Sequence, residues 1–289
     1  MFFKFLTQFK KIIVITKPGI TRAQVLTVSI GYFLANQSLT LNLDYLLLVI
    51  GTYFISSSAC AANSILEKNI DLKMNRTKNR PLPSNELSVS MAIGVVFVCF
   101  IIGVLAFIKI NALTLITALL TFVTYVFVYT PMKKYSWLNT PIGAIPGALP
   151  LLGGWFAAGT PLHLAVISLF FTLFCWQIPH FYALSIMYYE DYKSANLKML
   201  PLYKGGISAT KRQIIFFTLL MAASSIYPFF IHFLGIQYLI GMVVLSIVFI
   251  IYATKAIKDL KMNAKKLFIL SIIYLPLWFI LIIIDILLN

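Results

Sequence analysis

NSILEKNIDLKMNRTKNRPLP, residues 63–83, closes an apolar run and gathers two acids and five bases into one short stretch. The chain as a whole is 61% hydrophobic and only 11% charged, so this concentration governs how the rest is read. An apolar run that ends in charge is the pattern of a helix leaving a bilayer, whose hydrocarbon core of about 30 Å takes about 20 helical residues to cross. Within the charged end, Asn63, Glu67 and Asp71 stand four residues apart. A helix continued through them puts all three on one face, with about 6 Å of rise between neighbours. They form a ladder of oxygen donors.

Outward from this point the same alternation repeats along 289 residues, with a mean hydropathy of +0.93. Apolar stretches between charge clusters predict an all-α, polytopic membrane protein of nine transmembrane helices, at 21–40, 43–63, 87–108, 112–130, 141–159, 163–189, 213–233, 236–254 and 266–287. Before them, MFFKFLTQFKKIIVI interleaves Phe, Leu and Ile with lysines and suits an interfacial segment over residues 1–20. No small-residue cleavage pattern follows it, and it lacks the Arg- and Ser-rich character of a mitochondrial transit peptide. A single integral-membrane domain over 1–289 is expected.

The bases partition sharply. The N-terminal segment holds five, the 2–3 connection five, the 4–5 connection two (Lys133 and Lys134), and the 6–7 and 8–9 connections five each; the other face keeps Lys109 out of 23. That asymmetry predicts a cytoplasmic N-terminus and an external C-terminus, and the lack of transit-peptide character points to the plasma membrane of a bacterium. The net charge of +15 then reads as attraction to anionic lipid, above all for the lysines at 255–266, rather than to nucleic acid. Cys60, Cys99 and Cys175 fall inside apolar spans without CxxC pairing and read as small buried side chains.

Of eight acids, four form two clusters on the basic side: Glu67 with Asp71, and Glu190 with Asp191. A carboxylate costs roughly 2.5–3.5 kcal/mol at full membrane depth unless paired or hydrated. The ladder acids either pair with Lys68, Lys73 or Arg76 in a solvated helix end, or point into a bundle for use. The second cluster favours use, because it also follows an even-numbered span and opens to the same compartment. Two such helix ends facing each other would hold a hard divalent cation, Mg2+, through oxygens, with water and phosphate completing its shell. Arg76, Lys78 and Arg80 beyond the first cluster, with Lys198 and Lys204 beyond the second, supply charge for phosphate oxygens. The pattern describes a site for a diphosphate on an apolar tail.

NxxxExxxDxxMNRTKNRPLP at 63–83 resembles the first aspartate-rich motif of the UbiA superfamily of intramembrane prenyltransferases, and its extension resembles the superfamily's protohaem IX farnesyltransferase branch. YTPMKKYSWLNTPIGAIPGALPLLGGW at 129–155 and WQIPHFYAL…EDYKSANLKMLP at 176–201 are similar to two further blocks of that branch. Glu67 stands where the superfamily more often has Asp, and Ala195 makes the second motif EDYxxA rather than DxxxD. The resemblance implies a UbiA-like bundle with a central cavity open to the cytoplasmic side, and transfer of farnesyl from farnesyl diphosphate to a vinyl group of haem B. It further implies Asn63, Glu67, Asp71 and Asp191 as catalytic, metal-holding residues. Arg76, Lys78, Arg80 and Lys198 would bind the diphosphate with Lys133, and Tyr192 would orient a phosphate or shield the cation. His180 would meet haem, at its iron or a propionate. Haem A synthase or a terminal oxidase subunit would be protein partners.

Two other functions compete: prenylation of an aromatic quinone precursor, against which EDYxxA and RTKNRPLP argue, and transport of an anionic solute, which favours charges at the bilayer midplane rather than at helix ends. Pro141, Pro146 and Pro150 with Gly143, Gly147, Gly153 and Gly154 predict a kinked fifth span that neighbours approach closely. Lys17 and Pro18 are expected to start the first span at the interface, and Asp285 to be solvated near the outer end.

Overall fold

The computed structural model describes residues 2–288. The side chains of the first seven residues, part of the interfacial segment expected at 1–20, lie outside the described residues. Among those described there are helices and turns but no strand. Helix α1 (Phe2–Ile15) leads into α2 (Pro18–Asn36), α3 (Leu43–Leu66) and a short continuation, α4 (Lys68–Asp71). A loop then reaches α5 (Val89–Ile108), followed by α6 (Ala112–Val123), a π-helical turn (Thr124–Tyr129) and α7 (Thr130–Met132). The second half holds α8 (Asn139–Ala157), α9 (Leu164–Met187), the short α10 (Tyr189–Ser194), α11 (Gly206–Phe230), α12 (Ile236–Lys258) and α13 (Leu260–Leu288).

Sequence chemistry sets these boundaries. Asn42, Ser88 and Asn111 cap α3, α5 and α6 by accepting from the backbone amides of Tyr45, Met91 and Thr114. Pro18 opens α2, where a missing N–H costs nothing. Gly205, at φ 73°, turns the chain into α11.

Seven segments of the described chain are long and apolar enough to cross a membrane: α3, α5, the continuous run Ala112–Met132, α9, α11, α12 and α13. The expected spans at 21–40 and 141–159 correspond to α2 and α8, each 19 residues long, which are not among those seven. Their composition has a packing cause. A Cβ on Gly31 would lie 2.0 Å from the Leu151 carbonyl oxygen, and one on Gly154 would lie 1.9 Å from that of Val28. The two backbones touch through glycine, and the faces so buried need small residues rather than bulky apolar ones.

One core cluster joins α2, α8, α9, α11, α12 and α13 around Trp155, Tyr182, Tyr238 and Trp278. A second joins α2, α3, α5 and α6 around Tyr32, Leu48, Phe107 and Phe122. Asp285 differs from expectation: it is 2% exposed, and its carboxylate accepts from the amides of Gly235 and Tyr238 at the start of α12. The orphan amides of a helix N-terminus give a buried carboxylate its partners there.

Candidate functional site

The ladder survives the break after α3. Glu67 is the cap between α3 and α4, yet its amide still reaches the Asn63 carbonyl at 2.9 Å and the Asp71 amide reaches the Glu67 carbonyl at 2.8 Å. Helical four-residue spacing therefore holds, and Asn63, Glu67 and Asp71 face the same cavity while only 0%, 6% and 1% exposed.

Each rung meets a base from a different part of the chain. Lys17, in the turn before α2, donates to Asn63 Oδ1. Lys133, just after α7, donates to Glu67 Oε1 at 2.9 Å. Arg80, in the loop after α4, donates to Asp71 Oδ2 at 3.1 Å. Asn63 Nδ2 also donates to Thr130 Oγ1 at 2.9 Å, and that hydroxyl donates to the Tyr125 carbonyl at 2.8 Å, within the π-helical turn. Pro131, which has no N–H, follows this turn and disfavours an ordinary α-helical bond there. The turn sets the Tyr129 ring 4.4 Å from Lys133 Nζ.

Burial opposes ionisation of Glu67, but the charges of Lys133 and Lys17 and hydrogen bonds from Lys133 and Asn63 outweigh it and hold the carboxyl below its usual range. Burial likewise opposes the charge on Lys133, and Glu67 foremost holds it well above its ordinary value. Burial dominates at Lys17 and pushes it down. The charges of Glu67 and Lys133 are thus preformed for an anionic ligand at a cost already met by their pairing.

The cavity measures about 640 Å3. Its charged end holds Lys17, the ladder, Arg76, Arg80 and Lys133, and from there it extends along two apolar walls. One is lined by Val28, Leu48, Ile55, Phe107, Phe122 and Gly153; from Asn63 back to Leu48, α3 alone covers about 22 Å of helix. The other lies between α9 and α13 and is lined by Trp176, His180, Leu184, Phe268, Ile272 and Leu275.

The loop after α4 is clamped over the charged end by α10. The Arg76 guanidinium lies 4.4 Å from the ring centroid of Tyr188 and 5.0 Å from that of Tyr192, and donates to the Tyr192 hydroxyl at 2.8 Å. Ile70 and Met74 pack with Tyr192, Ala195 and Leu197 in a small separate cluster.

Three of the expected site residues lie outside the cavity lining. Asp191 is not among the cavity-lining residues; its two carboxylate oxygens accept from the backbone amides of Asn75 at 3.0 Å and Arg76 at 3.2 Å. Those bonds tie Asp191 to the loop that carries Arg76 and Arg80. Lys78 is exposed, outside the cavity lining, and donates to Asn75 Oδ1 at 3.0 Å. Lys198 is also outside the lining; its backbone bridges the halves, donating to the Lys133 carbonyl at 2.8 Å and accepting from Asn139 Nδ2 at 2.8 Å.

Lys17 is the functional candidate that sequence reasoning assigned to the interface. The available signal was ITKPG itself: a lysine directly before a helix-starting proline sits at the same membrane depth as the charged end of the following antiparallel helix.

The donor set suits a hard divalent cation. It offers two carboxylates and an amide oxygen, with no thiolate or imidazole, and leaves coordination positions for phosphate and water. Among the described residues no three His, Cys, Asp or Glu side chains converge, so the protein alone does not form a closed cage.

The sequence signature described as the UbiA prenyltransferase family matches residues 25–283. A protein of Solibacter usitatus named protoheme IX farnesyltransferase is 37% identical over 94% of this chain and 97% of its own length. One of the same name from Flavobacterium psychrophilum is 36% identical over 91% and 90%. Among solved structures, a UbiA homologue from Aeropyrum pernix superimposes with a TM-score of 0.78 at 20% identity, covering 92% of this chain and 97% of its own. A UbiA homologue from Archaeoglobus fulgidus bound to GPP and Mg2+ gives 0.65 at 18% identity, covering 94% and 99%.

Proposed function

The chain belongs to the UbiA prenyltransferase family, and from that premise we propose that it transfers a farnesyl group from farnesyl diphosphate to a vinyl group of haem B, with water adding to the side-chain cation so formed and losing a proton, to give a hydroxyethylfarnesyl side chain and diphosphate. The observation that carries this reading is the meeting of three ladder oxygens and their bases at the head of a cavity with two apolar walls. One wall suits an isoprenoid tail. The other, with its flat aromatic side chains and a histidine, suits a porphyrin.

Asn63, Glu67 and Asp71 would hold the divalent cation, assigned as Mg2+, which when bound supplies positive charge to the departing diphosphate. Binding exchanges partners: Lys17, Lys133 and Arg80 leave the ladder oxygens and turn to phosphate oxygens, joined by Arg76 from the loop. Negative charge grows on those oxygens as the allylic C–O bond breaks, so donors already turned to them in the bound complex favour the transition state over the bound substrate. Arg76, stacked on Tyr188 and Tyr192, closes the head of the cavity, while the apolar walls keep water from the allylic carbon.

The finer arrangement belongs to the same proposal. All 289 residues form one catalytic domain, α2 and α8 cross the bilayer inside the bundle to give nine spans, and the cavity opens to the cytoplasm with the N-terminus there and the C-terminus outside. The bacterial plasma membrane is the site of action, with a haem A synthase or oxidase subunit receiving the product. The test is expression in bacterial cells that lack haem O, followed by mass analysis of extracted haems. Haem O is expected. A prenylated hydroxybenzoate or naphthoate, or unchanged haem B, would overturn the assignment.

A further inference from the structure

Gln177 stands on α9, one turn before His180, and is 6% exposed. Its Nε2 donates to the carbonyl of Ala144 on α8 at 3.0 Å and to that of Leu173 on its own helix at 3.2 Å. A carbonyl only accepts, so the amide nitrogen must face these two groups; turned round, the amide would set oxygen against oxygen. The other end of the amide, Oε1, accepts from no described residue, and Gln177 lines the cavity. Gly147, also in the lining, makes the room for that oxygen: a Cβ there would lie 1.8 Å from it. One turn earlier on α8, a Cβ on Gly143 would lie 2.5 Å from the Tyr129 ring, which packs on Lys133. The oxygen therefore sits about 6 Å of helix beyond the charged head.

Tying α9 to α8 uses only the amide nitrogen. A buried acceptor without a hydrogen is unfavourable, so the oxygen calls for a donor. Farnesyl diphosphate and ionised haem propionates offer acceptors, and prenyl and vinyl groups offer neither. Among the reactants water alone brings an O–H, and a water held through its hydrogen turns its lone pairs into the cavity. The geometry points to Gln177 Oε1 as the group that holds the water ending the reaction, and so as the determinant of which product forms. This deepens the proposed function and rests on haem B being farnesylated. The electron pair of the allylic C–O bond leaves with diphosphate, and the first farnesyl carbon bonds to the terminal vinyl carbon, which leaves the cation on the carbon beside the porphyrin ring. The lone pair of the held water forms the new C–O bond there, and the surplus proton passes to the released diphosphate. Without that water the cation closes by losing a proton from the neighbouring carbon, and the product is an alkene lacking the elements of water.

The test uses the purified full chain in detergent with farnesyl diphosphate, protohaem and Mg2+ in heavy-oxygen water, with the masses of the products as readout. Wild type is expected to give the hydroxyl product carrying one heavy oxygen. In Gln177→Leu the ratio of hydroxyl to alkene product should fall by about tenfold or more, the scale of one lost hydrogen bond. Gly147→Ala keeps the amide but presses a methyl against Oε1. It should move the ratio the same way, and it decides the matter alone if Gln177→Leu does not fold. An amide that only ties two helices together would lower total product and leave the ratio as it was, so an unchanged ratio in either folded variant overturns the assignment. Wild-type protein that yields no farnesylated haem, or a product without heavy oxygen, refutes the functional reading beneath it.

Discussion

Lys133 Nζ and Glu67 Oε1 lie 2.9 Å apart although 66 residues separate them in the chain, and their side chains are only 15% and 8% exposed. Removing one member of such a pair leaves the other charge buried, which costs about 3–5 kcal/mol, whereas removing both is far milder. Lys133→Met should therefore lower thermal stability in detergent more than the double variant Lys133→Met/Glu67→Gln. Both should lose transfer. A double variant less stable than the single would show that the pair is not the relevant unit.

Asp71 contributes the deepest carboxylate of the loop side, 1% exposed and paired with Arg80. Asp71→Asn keeps shape and hydrogen bonding but removes the charge. Turnover with farnesyl diphosphate and haem B should fall by about 10²–10³, the scale for losing one electrostatic element of a transition-state site. The variant should still unfold cooperatively. Wild-type turnover would remove the ladder from the mechanism.

Asp191 sits where its loss separates positioning from chemistry. With its bonds to the amides of Asn75 and Arg76 gone, Asp191→Ala should raise KM for farnesyl diphosphate more than it lowers kcat, leave the Mg2+ dependence unchanged, and make the loop between α4 and α5 more open to protease. A change in metal dependence instead would restore Asp191 as a ligand.

Gly154→Ala pushes a methyl into the Val28 carbonyl, 1.9 Å away, and should destabilise by about 1–3 kcal/mol or more as α2 and α8 are forced apart. Gly94→Ala is the control, since nothing lies within 4 Å of its added methyl and alanine is the better helix former by about 0.5–1 kcal/mol. Thermal unfolding of the two variants should therefore move in opposite directions.

The seven apolar spans were legible because lipid-facing helices advertise themselves by length and composition. The four-residue ladder was legible because helical periodicity survives in the sequence even where Glu67 interrupts the helix. The amide contacts of Asp191 were not legible for a physical reason: an acid following a membrane helix reads the same whether its oxygens meet a cation or two backbone amides, and only the path of the loop at 72–88 brings Asn75 and Arg76 to it. Lys17 was assigned to the interface because its partner, Asn63, is neutral and leaves no charge pattern to match. The contact of His180 Nδ1 with Ser271 Oγ spans 91 residues, and no local pattern links them. The composition of α2 and α8, weakly apolar and rich in small residues, likewise follows from the close approach of the two backbones at Gly31 and Gly154.

The joint grip of the ladder and its bases on a metal-bound diphosphate is tested most directly by equilibrium binding of a non-reactive farnesyl diphosphate analogue, with and without Mg2+, to wild type and to Glu67→Gln/Asp71→Asn. Tight binding to wild type that requires Mg2+, and weak binding to the variant that Mg2+ no longer improves, is the predicted result. Equal, metal-independent affinity in both proteins would contradict the account.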